Sequence, residues 1–420
     1  MKQSGTTRSD PRADPVRPAA RTTYRAKFLV TMDGPPIEDG VVTIVDDRIV
    51  GVGRFGELRE GGSITDLGEV VLLPGLINAH CHLDFTLLRG KIEPPRSFAD
   101  WIRQINTFRR ELTEQDYLNS VAFGLEEAQR WGTTTIASIE SFPSLLDRMP
   151  PPPLRTWWFA ELIDVRAALS ADEIVAGALA HFAGKENWRG GFGLSPHAPY
   201  TASLQLTRRA AQTGRPIQIH VAESEEEMEM FHDGRGPLFE FLQSLGRPMN
   251  DCGQGKTPLA LMLDRGVLDE RWIVVHLNEL SEDDFARLER APRFQIVHCP
   301  RSSRYFGHRE FALRRLRELG FNIALGTDSL ASNSSLSLFA EMRRVRDSQP
   351  WLGPEQILEM TTVNGARALG QSQTLGKIRQ GFQADLIALP IANPSRDLCE
   401  KIIAWSKPVP WMMLAGIALA

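Results

Sequence analysis

Cysteine is scarce: the 420-residue chain holds four (Cys81, Cys252, Cys299, Cys399), none of them in a C-x-x-C pair. Four thiols cannot staple a chain of this length, so no disulfide framework is expected and a reducing compartment is implied. Long apolar runs are missing as well. No stretch approaches the ~18 residues of a membrane helix, and the N-terminus has no apolar core of a secretory signal. A surplus of either charge is also absent, with 48 Lys and Arg against 52 Asp and Glu and a net charge of −4. The cations are spread rather than clustered, which removes a general electrostatic reason to bind nucleic acid or an anionic membrane. These absences leave a cytoplasmic protein acting on a small molecule, without nucleic-acid or membrane partners, and with a homodimer as the expected assembly. Neither H-E-x-x-H nor G-x-S-x-G occurs.

With 42% hydrophobic and 24% charged residues, the composition suits one large globular domain and a smaller accessory one. Residues 1–21 are rich in Pro, Arg, Asp, Ser and Thr and poor in apolar side chains, so a disordered tail is expected there. From Ala26 to Leu73, short β-branched runs alternate with Gly- and Asp-containing turn signals, and Ala384–Leu389 and Trp411–Gly416 repeat that texture near the other end. Residues 22–73 and 370–420 are therefore expected to form one β-sandwich domain around a central insertion. Within residues 74–369, eight apolar runs alternate with stretches of helical periodicity. The runs are Leu72–Asn78, Thr133–Ser138, Thr156–Ile163, Gly191–Ser195, Pro216–Val221, Trp272–Leu277, Phe294–Val297 and Asn322–Gly326. That alternation predicts an α/β fold, a (β/α)₈ TIM-like barrel with its chemistry on the loops after the strand C-termini.

Six of the nine histidines (His80, His82, His197, His220, His276, His298) fall at or just past the end of one of these runs. In a barrel all those ends meet at one mouth, and gathered imidazoles suit a borderline-soft divalent ion. His80 and His82 flank Cys81, so in extended backbone both point the same way while Cys81 faces the core. An isolated H-x-H is more often two ordinary polar loop residues, but the other strand-end histidines reverse that reading. His220 supplies a third imidazole, with Glu223 three residues on. The acidic run Glu225-Glu226-Glu227 is expected to be a solvated helix N-terminus. Asp328, after Ile323-Ala-Leu-Gly-Thr, can be both a ligand and a proton acceptor. A helix cap is its plainer role, and Ser329, Ser332 and Asn333 could serve there instead. His276 is either a fourth imidazole ligand or, the preferred reading because three His and one Asp already fill the usual shell, a group behind the ligands that orients water; His197 and His298 are expected in the substrate pocket. His181, His232 and His308 lie away from the strand ends. With no lysine after the fourth strand to bridge a second ion, one metal is expected, zinc first, with iron or manganese as alternatives. Gly51-Val-Gly-Arg-Phe-Gly56 matches G-x-G-x-x-G but lacks the βαβ context of a dinucleotide site.

Five segments taken together resemble a known family: Leu73-Pro-Gly-Leu-Ile-Asn-Ala-His-Cys-His82, Ser195-Pro-His-Ala-Pro-Tyr-Thr201, Ile219-His-Val-Ala-Glu223, His298-Cys-Pro-Arg-Ser302 and Gly326-Thr-Asp-Ser-Leu-Ala-Ser-Asn333. They are similar to the amidohydrolase superfamily, in its branch of aminohydrolases and chlorohydrolases. The resemblance covers about residues 25–420. It implies that His80, His82, His220 and Asp328 hold the metal, that Glu223 shuttles a proton, and that His276 positions water or the developing oxyanion. Ser303 departs from the Asn that many relatives carry there. Within the branch, His82–Ile92, Ser97–Trp101 and Tyr305–His308 look most like the aminodeoxyfutalosine deaminases of menaquinone biosynthesis. That likeness implies deamination of an adenine nucleoside such as 6-aminodeoxyfutalosine, with Phe85, Leu88 and Arg89 against its distal end and Arg89 pairing a carboxylate. A chlorohydrolase or amide hydrolase on the same scaffold, and a non-catalytic metal-binding barrel, are the competing expectations.

Overall fold

The computed structural model describes residues 21–57, 62–93, 96–166, 168–391 and 397–419. The expected tail therefore lies outside the described residues, apart from Arg21, which opens the first strand.

Strands β1 (Arg21–Leu29), β2 (Ile37–Val45), β3 (Arg48–Arg54), β4 (Ser63–Asp66) and β5 (Val71–Pro74) come from the N-terminal part. After the barrel strands, the chain adds β15 (Leu386–Leu389), β16 (Trp411–Leu414) and β17 (Ile417–Leu419). All eight belong to one sheet, ordered β17-β16-β15-β5-β1-β2-β3 with β4 paired to β1. Antiparallel pairing of β5 with β15 joins the two ends of the chain. Ala26, Leu29, Val42, Ile49, Leu72, Phe382 and Met413 form the buried core of this layer. Gly51 and Gly53 lie inside β3, which pairs antiparallel with β2, so the G-x-G-x-x-G match is strand sequence and not a phosphate loop. The C-terminal part is not sheet alone. Its helix Leu398–Ile403 buries Leu398, Ile402 and Ile403 in the same cluster as the barrel helices.

The barrel strands are β6 (Leu76–His82), β7 (Thr133–Glu140), β8 (Arg155–Leu162), β9 (Gly190–Pro196), β10 (Ile217–Val221), β11 (Trp272–His276), β12 (Gln295–His298), β13 (Asn322–Leu325) and β14 (Asp328–Ser329). They run parallel in sequential order, with β13 beside β12 and β14 beside β6. Since β13 and β14 are one strand interrupted at Gly326-Thr327, this pairing closes an eight-membered ring. The amides of Gly326 and Thr327 bond the carbonyls of His298 and His80 at 3.0 Å each, spanning the seam. The expected barrel is thus present.

One expectation needs correction. The run Leu72–Asn78 is two strands: Val71–Pro74 belongs to the terminal sheet and Leu76–His82 to the barrel. The division falls at Gly75, where a Cβ would stand 2.1 Å from the Thr134 side chain, so only glycine lets the chain pass so close to β7. Strand β4 carries a single apolar residue and β17 is only three residues long, so neither announces itself.

Strand alternation sorts the barrel core. In β8, Trp157 and Phe159 fill the interior while Trp158 and Ala160 pack under the helices, as period-2 geometry requires. In β10, Ile217, Ile219 and Val221 join the outer cluster, which turns Gln218 and His220 inward.

Candidate metal centre and active site

Backbone irregularities deliver the site residues. The pairing of β6 with β7 shifts register between Asn78 and Cys81, a bulge of the kind that re-aims side chains. It leaves Cys81 in the outer core, its thiol toward the carbonyl of Ala137 at 3.5 Å, and His80 and His82 facing in. Plain alternation would carry His276 outward with Trp272 and Val274. Left-handed backbone at His276 (φ 77°) and Leu277 (φ 52°) breaks that alternation, and Asp328 (φ 59°) sits in the same region of conformational space. For residues other than glycine such backbone costs about 1–3 kcal/mol each and persists only where its surroundings impose it.

His80, His82 and His220 offer one ring nitrogen each within 4.8 Å of one another, and all three are buried. His82 Nε2 and His220 Nε2 are 3.4 Å apart, and Asp328 Oδ1 lies 3.7 Å from His80 Nε2 and 3.8 Å from His82 Nε2. Neighbours set two of the tautomers. His80 donates from Nδ1 to Gln218 Oε1 at 2.8 Å, and His220 donates from Nδ1 to the carbonyl of His197 at 2.7 Å. Both Nε2 lone pairs are thereby aimed at the shared centre, in the pattern of metal-binding imidazoles held from behind. His80 Nε2 is buried without a hydrogen-bond partner. Tetrahedral ligands about 2.0–2.1 Å from zinc stand roughly 3.3 Å from one another, close to the spacings observed. The donor set and its geometry fit a divalent ion.

Burial first, then mutual repulsion, lowers the basicity of His82 well below the usual imidazole range and brings His220 to about 3. His276 is also held well below that range, chiefly by burial. Neutral imidazole is the form that binds metal. The two carboxylates diverge. Burial, the charge of Asp328 and that of Glu227 raise Glu223 well above the normal range. Burial opposes ionisation of Asp328 too, but the imidazoles of His80, His276 and His82 around it hold it well below the usual range. Ser302 Oγ donates to Asp328 Oδ2 at 2.6 Å and the Ser329 amide to Oδ1 at 2.7 Å. Glu223 Oε1 lies 3.5 Å from His276 Nε2.

The expected solvated run is only partly solvated. Glu225 is exposed, but Glu226 accepts the Phe98 and Ala99 amides at 2.5 and 3.1 Å, and Glu227 is wholly buried, accepting the Glu223 amide at 2.8 Å. These two hold structure: one anchors the helix Phe98–Arg109 and the other fixes the Glu223 backbone.

Above the centre opens a cavity of about 230 Å³ whose lining includes His82, Phe85, His197, His220, Glu223, His276, Asp328, Phe98, Trp101, Tyr200, Phe241, Arg109 and Glu161. Of the residues expected against substrate, Phe85 and His197 are here, with His197 Nδ1 2.7 Å from Thr201 Oγ1. Leu88, Arg89 and His298 are not among those lining it. Leu88 is fully buried beneath the loop, and His298 stacks on Phe311 at 4.0 Å between ring centroids. The guanidinium of Arg89 is taken by Glu127 and faces a different cleft.

Arg109 is the cation that reaches this cavity. It lies over the rings of Phe85 and Phe142 at 5.4 and 5.0 Å. Nothing local in the sequence marks it, because a helix end packed across the mouth brings it in. Gln218 was also missed, though a polar residue two before His220 on an apolar strand was a usable signal. Cys299, near His276 and Asp328, has its thiol raised well above the usual range by burial and stays neutral.

A closed parallel barrel with a buried histidine–carboxylate centre at the strand C-termini defines the class, a metal-site barrel enzyme. The amidohydrolase family matches residues 71–404, and the chain belongs to that family and is a hydrolase of C–N bonds. The chain is 31% identical over 390 residues to a 5-methylthioadenosine/S-adenosylhomocysteine deaminase of Pyrococcus furiosus, covering 88% of this chain and 85% of that one. It is 30% identical over 365 residues to an aminodeoxyfutalosine deaminase of Deinococcus radiodurans, covering 81% and 84%. Among solved structures, Helicobacter pylori aminofutalosine deaminase in complex with methylthio-coformycin is similar at TM-score 0.81 and 22% identity, covering 95% of this chain and 100% of that one. A zinc-bound adenosine deaminase from Xanthomonas campestris is similar at TM-score 0.80 and 24% identity, covering 96% and 93%.

Proposed function

We propose that the protein is a metal-dependent deaminase of an adenine nucleoside carrying an enlarged 5′ substituent, with 6-aminodeoxyfutalosine as the preferred substrate. Adenosine, methylthioadenosine and S-adenosylhomocysteine are the alternatives within this class. The observation that carries the reading is one buried centre in which three imidazoles converge with Asp328, with Glu223 lining the same cavity 3.5 Å from His276 and raised well above the usual carboxylate range by burial.

His80, His82, His220 and Asp328 would hold the ion, with zinc the expected metal. When bound, the ion would supply Lewis-acid activation of water, lowering its pKa toward roughly 7. Asp328, ionised, is placed to take the proton that the attacking water loses. Glu223, protonated, is placed to donate to the ring nitrogen next to the carbon under attack. His276, 3.5 Å from Glu223 Oε1, keeps that carboxyl oriented and offers a hydrogen bond to the oxygen that develops at the carbon. One water is consumed, the C–N bond breaks, and ammonia leaves with the proton returned from the carboxylates. The aromatic lining suits a flat base, and Arg109 supplies a charge partner for a carboxylate at the distal end of the substrate.

Among the described residues no helix is long and apolar enough to cross a membrane. The deciding experiment is ammonia release and kcat/KM for metal-loaded protein across 6-aminodeoxyfutalosine, methylthioadenosine, S-adenosylhomocysteine, adenosine and guanine. Preference for guanine by tenfold or more would overturn the adenine assignment. Release of ammonia from none of them would favour a dechlorinating or amide-cleaving hydrolase, or a barrel without catalysis.

A further inference from the structure

Across the loop 330–333 from the catalytic cavity lies a second and larger cleft, of about 800 Å³. Its distinguishing property is charge. Arg89, Arg301, Arg304, Arg343 and Arg344 all line it, and Asp347 is the one carboxylate among the lining residues. The clustering follows from helix geometry. Arg301 and Arg304 are three apart on the helix Pro300–Phe306, and Arg343, Arg344 and Asp347 fall within one turn of the helix Leu338–Ser348. Arg301 with Arg304, and Asp347 with each of Arg343 and Arg344, are three or four apart and share a face; these two helices pack together, and all five residues line the cleft.

Two of the five charges are already met. Glu127 takes Arg89. Glu341, buried behind the cleft, lies 3.9 Å from Arg301 Nη1, and the hydroxyls of Ser334 and Ser335 accept from the same guanidinium. The others are not so placed. Arg343 gives an N–H to the Trp405 carbonyl, which satisfies a donor without offsetting the charge. Burial first, then the proximity of Arg301, holds its guanidinium below the usual range. Arg304 and Arg344 have no ion-pair partner among the described residues. Like charges gathered around a concavity repel one another and focus a positive potential into it.

We propose that this cleft binds a phosphoryl dianion, with Arg304, Arg343 and Arg344 as its principal contacts. Guanidinium forks match phosphate oxygens in paired hydrogen bonds, and several can share three terminal oxygens. A carboxylate, with two oxygens and one charge, would leave the cluster under-neutralised. The basic surface is a bounded cleft on a chain of net charge −4, not an extended stripe, which favours a small ligand over a nucleic-acid backbone.

The cleft shares a wall with the active site. Ser332 belongs to the cleft lining, its Oγ is 2.9 Å from Ser302 Oγ, and Ser302 donates to Asp328 Oδ2 at 2.6 Å. Two hydrogen bonds thus connect a residue of the cleft wall to the carboxylate that the proposed chemistry uses, and an anion settling against that wall is expected to change turnover.

The test is calorimetric titration of the full-length, metal-loaded protein with inorganic phosphate in chloride buffer, alongside Arg304→Ala/Arg344→Ala and Arg304→Lys/Arg344→Lys double variants. Expected are saturable one-site binding, a loss of at least about tenfold in affinity in the alanine pair and substantial recovery in the lysine pair. Phosphate is also expected to shift kcat/KM of the parent but not of the alanine pair. Any phosphate bound at the metal would persist in all three proteins, so the variants separate the two locations. Ribose 5-phosphate, with ribose as control, distinguishes the source: tighter binding than inorganic phosphate identifies a phosphomonoester, and equal or weaker binding identifies free phosphate. No saturable binding at millimolar phosphate, or unchanged affinity in the alanine pair, overturns the site. Binding without any shift in kcat/KM overturns its connection to Asp328.

Discussion

Glu223 and Asp328 share one cavity and one functional group, yet their neighbours differ. Asp328 receives hydrogen bonds from Ser302 and Ser329 and faces imidazoles, whereas Glu223 faces Asp328 and Glu227 across apolar surroundings. Glu223→Gln keeps the shape and removes the transferable proton. It is expected to retain bound metal while turnover falls by about 10²–10⁴, the usual contribution of a positioned general acid; metal analysis beside steady-state kinetics checks both halves, and loss of metal would place Glu223 among the ligands. His220→Ala and Asp328→Asn are expected to do the reverse and strip the metal together with the activity. Tight metal retained in both variants would sink the four-ligand assignment. Gln218 does not line the catalytic cavity and holds His80 from behind by accepting from its Nδ1. Gln218→Ala is expected to weaken metal affinity or activity by about 10–100-fold, read by competition with a chelator, whereas a purely structural role would lower the melting temperature and leave metal affinity untouched.

At the scale of elements, each departure from regular strand geometry serves placement. The bulge in β6 turns His80 and His82 inward together, the left-handed backbone at His276 brings in a ring that alternation would have lost, and the break between β13 and β14 closes the ring at Asp328. Gly75, between the terminal sheet and the barrel, works by its lack of a side chain. Gly75→Ala would drive a Cβ into Thr134. An overpacking cost of about 1–3 kcal/mol is expected, visible as a lower urea midpoint with an unchanged slope, and Thr134→Gly in the same chain should recover part of it. Full stability of the single variant would mean that β5 and β7 separate more easily than their close contact implies.

For the whole molecule, the two layers are tied by more than apolar packing. Arg155, at the start of β8, donates from Nε to Asp385 Oδ2 at 3.0 Å and from Nη2 to Asp385 Oδ1 at 3.3 Å, with Gln383 Oε1 at 3.1 Å as a further acceptor. Asp385 also accepts the Ala415 amide at 2.7 Å, so one carboxylate links barrel, β15 and the turn after β16. The two side chains are only 12% and 6% exposed, and removing one partner from such a pair leaves a buried charge without its counterion. Arg155→Met is expected to cost about 3–5 kcal/mol in denaturant unfolding while leaving kcat near that of the parent, because the pair lies at the barrel end opposite the chemistry. Replacing both residues with apolar ones should recover much of the loss, and an unaffected single variant would show that the layers do not depend on this tie.

What could be read from the linear chain was whatever depends on near neighbours. Period-2 and period-3.6 patterns announced the eight barrel strands to within a residue or two at most ends, since alternation and helical periodicity are local properties of a chain that must bury one face. The histidines at strand ends were legible for the same reason: a parallel barrel sends all those ends to one mouth, so position along the chain implies position in space. Tertiary structure decided what depends on the angle at which segments meet. It divided Leu72–Asn78 between two layers, because the clash that requires glycine at position 75 involves Thr134. It paired Glu226 with the amides of Phe98 and Ala99 and buried Glu227 against the amide of Glu223. It also took Arg89 from the catalytic cavity and put Arg109 there, because a guanidinium at the end of a long flexible stem goes where packing and the nearest carboxylate send it, and in this fold that carboxylate is Glu127, far along the chain but adjacent in space.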